Sequence, residues 1–286
     1  MSYMGESRLA TLVVLSASLA PTLLTAQSAA CRPPDNSNEA KTLAIFSVPL
    51  AFGRAGIANA GGGRVKFGFE LSYLPDVDEA TATPTLCRPG KRPENTDLLF
   101  AAPRPRIAII LGRGFAMEAS WVPPIDLHQV KANLVGVALS YDVRLNDHGT
   151  AVSLRAHGTF GVIKAPITCD DEALQDQPSE CYQGTRSNDS YHPNIVGFDA
   201  AVRSSLGAPF QLYFGSGYNR LMPRFRVNFT NSQGQTDRQR IEVDLDRLAL
   251  FGGFTWLAAR RLGLSAEVYT APADAVTGRV ALRVAM

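Results

Sequence analysis

Apolar and polar residues alternate along most of this chain with a period of two. In GRVKFGFELSYLP, residues 63–75, one side of an extended strand carries Val65, Phe67, Phe69, Leu71 and Tyr73, and the other carries Lys66, Gly68, Glu70 and Ser72. Ile107, Ile109 and Leu111 repeat the pattern, as do Phe115, Met117, Ala119 and Trp121 after the turn LGRG. Val135 to Val143 and Val152 to Val162 follow, separated by NDHG. In the second half the alternation runs through Val196–Val202, Phe210–Phe214, Phe225–Phe229, Ile241–Leu245, Leu248–Trp256, Leu264–Val268 and Val280–Met286. The pattern predicts about ten strands, most near the roughly 9–11 residues that a tilted membrane strand uses. Alternation alone leaves two orientations open: apolar side chains inside a soluble core, or outside against lipid.

The connections sort themselves. Long or moderate loops (75–103, 123–130, 164–193, 223–240 and 271–276) alternate with short turns near Arg113, Asp147, Gly207 and Arg260. An up-and-down barrel places all short turns at one rim and all long loops at the other. A Greek-key sandwich has no reason to do so.

Composition narrows the picture further. The 286 residues carry a formal charge of +2 with 19% charged residues, too balanced for a nucleic-acid binder. Residues 1–30 read as an export signal, with Arg8, an apolar run from Leu9 to Leu24 and small residues beyond. No later segment offers the roughly 18 uninterrupted apolar residues of a membrane helix. Residues 31–62 are expected to be a linker or a plug within the lumen, and residues 63–286 the barrel. The four cysteines all fall in the exported part. Cys169 and Cys181 bracket CDDEALQDQPSEC and suit a local disulfide; Cys31 is left either to bond Cys87 or, after SAA, to carry a lipid.

Residues 64–286 resemble a small bacterial outer-membrane β-barrel, and the C-terminal TGRVALRVAM resembles the final-strand signal of barrel assembly. That signal usually finishes on Phe or Trp, whereas this chain finishes on Met286. The resemblance implies an all-β, antiparallel transmembrane barrel in a Gram-negative outer membrane. Its partners would be outer-membrane lipid and the barrel-assembly machinery, with a small solute as ligand and no cofactor, metal or nucleic acid.

On that reading Lys66, Glu70, Glu118, Asp142, Arg144, Arg155, His157, Asp199, Arg203, Glu267, Arg279 and Arg283 face the lumen and pair across it. The expected function is non-enzymatic: a narrow pore or transporter, or a structural surface protein. A secreted soluble lipid-binding barrel is one alternative. The other is a barrel hydrolase resembling the ten-stranded omptin proteases, using Asp76 and Asp78 at the first long loop. Asp189 and His192 lack the Asp-x-His spacing of that family, and Asp147 with His148 sits at the opposite rim. No GxSxG or HExxH segment occurs.

Overall fold

The computed structural model describes residues 30–56, 62–146, 149–207 and 209–286. Nearly all of the expected export signal, and both Asp147 and His148, lie outside these residues. Ten long strands, labelled β1 Val65–Tyr73, β2 Ala101–Gly112, β3 Phe115–Val122, β4 Val130–Arg144, β5 Ala151–Ala165, β6 Ile195–Ser205, β7 Phe210–Leu221, β8 Leu245–Ala259, β9 Leu262–Ala271 and β10 Ala275–Ala285, pair antiparallel with their sequence neighbours. The cylinder closes where β1 meets β10, in register from Lys66 opposite Ala285 to Ser72 opposite Arg279. Closure leaves no edge strand, which is the condition for a sheet to sit in hydrocarbon. The two-residue turn between β2 and β3 places Arg113 and Gly114 at φ of 51° and 88°, the paired positive φ of a type I′ hairpin.

The orientation is inverted relative to a soluble protein. Phe69, Trp121, Leu154 and Val280 are 45%, 56%, 52% and 54% exposed, whereas Glu70, Arg155 and Arg279 are at most 3% exposed. An apolar belt around a charged interior is the architecture of the outer-membrane β-barrel. The soluble alternative required the apolar face to line the inside; along the strands that face is outside.

Above the long-loop rim the chain builds a cap of ordinary soluble design. The upper end of β5 is extended by a ladder of Asp189–His192, Arg224–Arg226 and Arg240–Glu242, to which Cys31 adds a parallel bridge at Ile241. Tyr191, Phe225, Val227, Ile241 and Val243 turn inward here and are buried.

The N-terminal segment occupies the lumen. Helix α1, Asn38–Leu50, starts at Ser37, whose hydroxyl accepts the Ala40 N–H, and the short helix α2, Glu79–Ala82, packs beside it. Cys31 is tied to Cys87 of the first long loop by a disulfide, so it is not free to carry a lipid, and Cys169 is bonded to Cys181. From this anchor α1 descends, residues 51–56 continue downward, and the Gly62 N–H meets the Arg260 carbonyl at the opposite, short-turn rim.

The two disulfides span 56 and 12 residues. Loop-closure entropy then assigns about 4 kcal/mol to the first and about 3 kcal/mol to the second. Replacing Cys31 and Cys87 by Ser is expected to lower the temperature at which the barrel loses its compact form in SDS more than replacing Cys169 and Cys181. The heat-shift temperature on gels checks this ordering, and the reverse order would rule out the longer bridge as the stronger clamp.

Candidate functional site

At mid-barrel the plug and the wall are complementary in charge and hydrogen bonding. Carbonyls at the end of α1 and in the extended residues after it lie beyond the helix's own hydrogen-bond ladder, although Ala51 O also accepts the Gly53 N–H at 2.7 Å. They carry the negative end of the helix dipole toward a ring of guanidinium groups. Arg104 on β2 donates to Leu50 O at 2.8 Å and Arg106 to Gly53 O at 3.0 Å. Arg155 on β5 donates to Phe52 O at 2.6 Å, and Arg279 on β10 to Val48 O and Ala51 O, each at 3.1 Å. Arg283 donates to Arg54 O at 2.8 Å. The Phe52 ring lies 4.2, 5.1 and 5.6 Å from the guanidinium carbons of Arg106, Arg155 and Arg104, a close cation–π cluster.

The wall carboxylates complete the set. Glu70 pairs with Arg106 and, at 3.7 Å, with Arg104. Glu118 reaches Arg106 at 3.0 Å and Arg283 at 3.2 Å; Glu267 reaches Arg279 at 3.0 Å and accepts the Ala55 N–H at 3.1 Å. Asp199 holds Arg155 at 3.3 Å and takes Arg54 from the plug, whose Nε donates at 2.7 Å; the His157 ring lies 3.6 Å away. Asp142 pairs with Arg203 at 3.3 Å, and Lys66 is buried on the inner face of β1. Arg144 is the exception, exposed at the short-turn rim with Arg203 and Gln211 on a recess of about 490 Å³.

Fit is close enough that side-chain volume decides it. A Cβ on Gly53 would overlap the Arg279 guanidinium, and one on Gly136 of β4 would press the Phe52 ring at 3.1 Å. Between Arg54, Glu118, Arg155 and Tyr213 the lumen keeps a void of about 20 Å³, room for a single water.

Sequence reading missed Arg54, Phe52, Arg104 and Arg106. The last two were recoverable, because the parity of Ile107 continues backward through APRPR and turns both arginines inward. Arg54 and Phe52 belong to a segment without alternation, and nothing local marks them.

Above the plug lies a cavity of about 250 Å³. Phe46 and Leu50 of α1, Leu134 and Ala132 of β4, Ile163 of β5, and Leu98 and Leu99 of the first long loop line it. Its polar groups are already engaged: the Tyr191 hydroxyl contacts Ser47 Oγ at 2.7 Å and donates to Leu43 O at 3.0 Å, while Arg104 serves the plug.

A carboxylate of α1 holds the cap to the plug. Glu39 accepts the N–H groups of Thr85, Leu86 and Cys87 at 2.9, 2.7 and 2.8 Å. Burial works to raise its pKa, but these N–H groups outweigh it and leave the carboxyl below its usual range. Glu94 is pushed up to about 7 by burial; Arg88 opposes this and Asp189 adds to it.

The hydrolase candidates are placed apart in role. Asp76 is exposed; Asp78 caps α2, accepting the Thr81 N–H at 2.9 Å. Asp189 is fully buried and its oxygens accept from Thr168 N, Ser187 Oγ and Asn228 N, each at 2.7 Å. His192 stands opposite Arg224 in the cap ladder. Among the described residues no group of three His, Cys, Asp or Glu side chains is arranged to hold a metal.

No family model matches the chain, and no curated protein matches it. Solved structures of similar outline include Ail, the attachment invasion locus protein of Yersinia pestis, at 10% identity over 78% of this chain and 96% of that one, with a TM-score of 0.28. The CymD monoaromatic hydrocarbon channel shows 9% identity over 82% and 69%, with a TM-score of 0.35. The toluene transporter TodX of P. putida shows 11% over 85% and 70%, with a TM-score of 0.34. Likeness this low carries no function across; the barrel architecture rests on this chain's own ladders and surface.

Proposed function

We propose that this protein is a plugged, non-enzymatic bacterial outer-membrane barrel that takes a small, neutral, apolar solute into the cavity above its plug. The carrying observation is that cavity: about 250 Å³, walled by aliphatic and aromatic side chains whose few polar neighbours are satisfied within the protein. A dry apolar cavity of roughly 150 Å³ suffices for benzene, so this one suits a single ring with substituents or a short chain. A charged solute would lose its hydration there without a free partner. The lumen below is occupied by residues 51–56, which argues against an open ion pore.

Full-length protein in detergent, titrated with N-phenyl-1-naphthylamine as the apolar probe, is expected to give a saturable rise in fluorescence. Ala132→Trp, which fills the cavity from a half-buried wall position, is expected to weaken that binding at least tenfold with the SDS heat shift retained. Unsaturable fluorescence, or equal affinity in the folded variant, would overturn this assignment.

A further inference from the structure

The cavity does not stop at the inner face of the wall. Its lining includes Phe69, Pro103 and Pro105. Phe69 belongs to the outward row of β1, and the register places it opposite Pro105 and Leu71 opposite Pro103, so both prolines share its lipid side. A single void therefore touches Leu50 and Phe46 inside and Phe69 and Pro105 outside.

The reason is a seam left unzipped. The β2–β3 ladder runs from Gly112 opposite Phe115 to Arg106 opposite Ser120 and ends there. Yet β2 continues to Ala101 along β1, and β3 continues to Val122 along β4. In an antiparallel strand successive residues turn their N–H groups to opposite neighbours. The Ile110 N–H goes to Arg64 on the β1 side, so the even positions of β2 serve β1 and the odd positions serve β3. Continuing the register past Arg106 and Ser120 sets Pro105 opposite Trp121 and Pro103 opposite Pro123. Three of the four N–H groups that would zip those two pairs are absent because the residues are proline. Proline also lessens the penalty of the opening, since an unpaired N–H facing hydrocarbon is what a membrane barrel avoids.

Building on the solute-binding reading above, we propose that the β2–β3 seam is a lateral doorway, through which the apolar solute exchanges between the cavity and the hydrocarbon core of the outer leaflet. The driving force suits the route. An apolar molecule in the cavity, which touches only Arg104 of the arginine ring, meets apolar side chains all the way to lipid. Passage through the lumen would instead drag it across buried ion pairs.

The doorway is tested on full-length protein reconstituted in phosphatidylcholine vesicles preloaded with N-phenyl-1-naphthylamine. Its native cysteines are all disulfide-bonded, so Pro105→Cys offers one thiol for alkylation after folding. Blocking that thiol with a bulky maleimide is expected to slow filling from the bilayer at least tenfold against the same protein unmodified, while affinity in detergent changes less than twofold. As a second variant, Pro103→Val, Pro105→Val and Pro123→Val together restore the three donors, and should slow filling likewise with new amide-exchange protection at Trp121. Filling at the unmodified rate in the alkylated protein, or in the triple variant once that protection is present, overturns the doorway even where binding in detergent is intact. If the wild type does not bind the probe in detergent, it is the solute-binding reading that fails.

Discussion

Planar bilayers holding the full-length protein are expected to stay silent, and bilayers holding a variant that lacks residues 31–56 and carries Cys87→Ser to show discrete ion currents. The deletion removes α1 and the extended stretch that fills the lumen, and the Cys87 change leaves no unpaired thiol in the first long loop. What remains inside is a ring of wall charges: Arg104, Arg106, Arg155, Arg203, Arg279, Arg283 and Lys66 against Glu70, Glu118, Asp142, Asp199 and Glu267. In the intact protein the surplus of cations is matched by plug carbonyls from Val48 to Arg54. Without the plug that surplus faces water, so the currents should be carried mainly by anions. The barrel itself is closed by strand pairing alone and should retain its heat shift in SDS. Silent bilayers from a variant that still shows the heat shift would mean that the plug is not what closes the lumen; cation preference would contradict the charge reading.

Replacing one buried carboxylate should cost far more than replacing a lipid-facing side chain. Glu118 is 4% exposed and stands between Arg106 at 3.0 Å, Arg283 at 3.2 Å and Arg155 at 3.9 Å. Glu118→Leu keeps much of the volume but takes from Arg283 its carboxylate partner in a nearly dry interior, and leaves Arg106 to Glu70 and Arg155 to Asp199 alone. Breaking a buried pair from one side costs about 3–5 kcal/mol, because the surviving charge stays uncompensated. Glu118→Leu combined with Arg283→Met should recover part of that loss, since removing both partners of a buried pair is often close to neutral. Val137→Ala, on the outward row of β4, should fall within about 1 kcal/mol of wild type, because lipid replaces the lost contacts. Urea unfolding in lipid vesicles, followed by tryptophan fluorescence, orders the three. A single variant no less stable than Val137→Ala would show that the ion network contributes specificity and not stability.

Strand parity was written locally. Phe69 and Glu70 are neighbours in sequence and end on opposite sides of the wall because an extended chain turns them there. Loop lengths did the rest, since a strand that returns after two residues must lie beside its predecessor. Parity alone puts Glu70, Glu118, Arg155, Asp199, Glu267 and Arg279 on one face. The same rule applied to APRPR would have added Arg104 and Arg106, and would have shown the prolines sharing the outward row with Ile107.

What the amino-acid sequence determined by itself is therefore everything with a short range: the period of two, the alternation of long and short loops, the spacing of Cys169 and Cys181. Three features were decided only by the tertiary structure. One is the apolar side facing outward, which the loop order and the barrel resemblance lead one to expect but which alternation cannot decide, being the same whichever solvent each face meets. Another is the path of residues 31–56 down the lumen, held by arginines from strands 53 to 231 residues away in sequence, which no local periodicity encodes. The last is the open seam beside Pro103, Pro105 and Pro123, which exists because pairing is a property of two strands together, and a missing donor has a consequence only once its partner is in place.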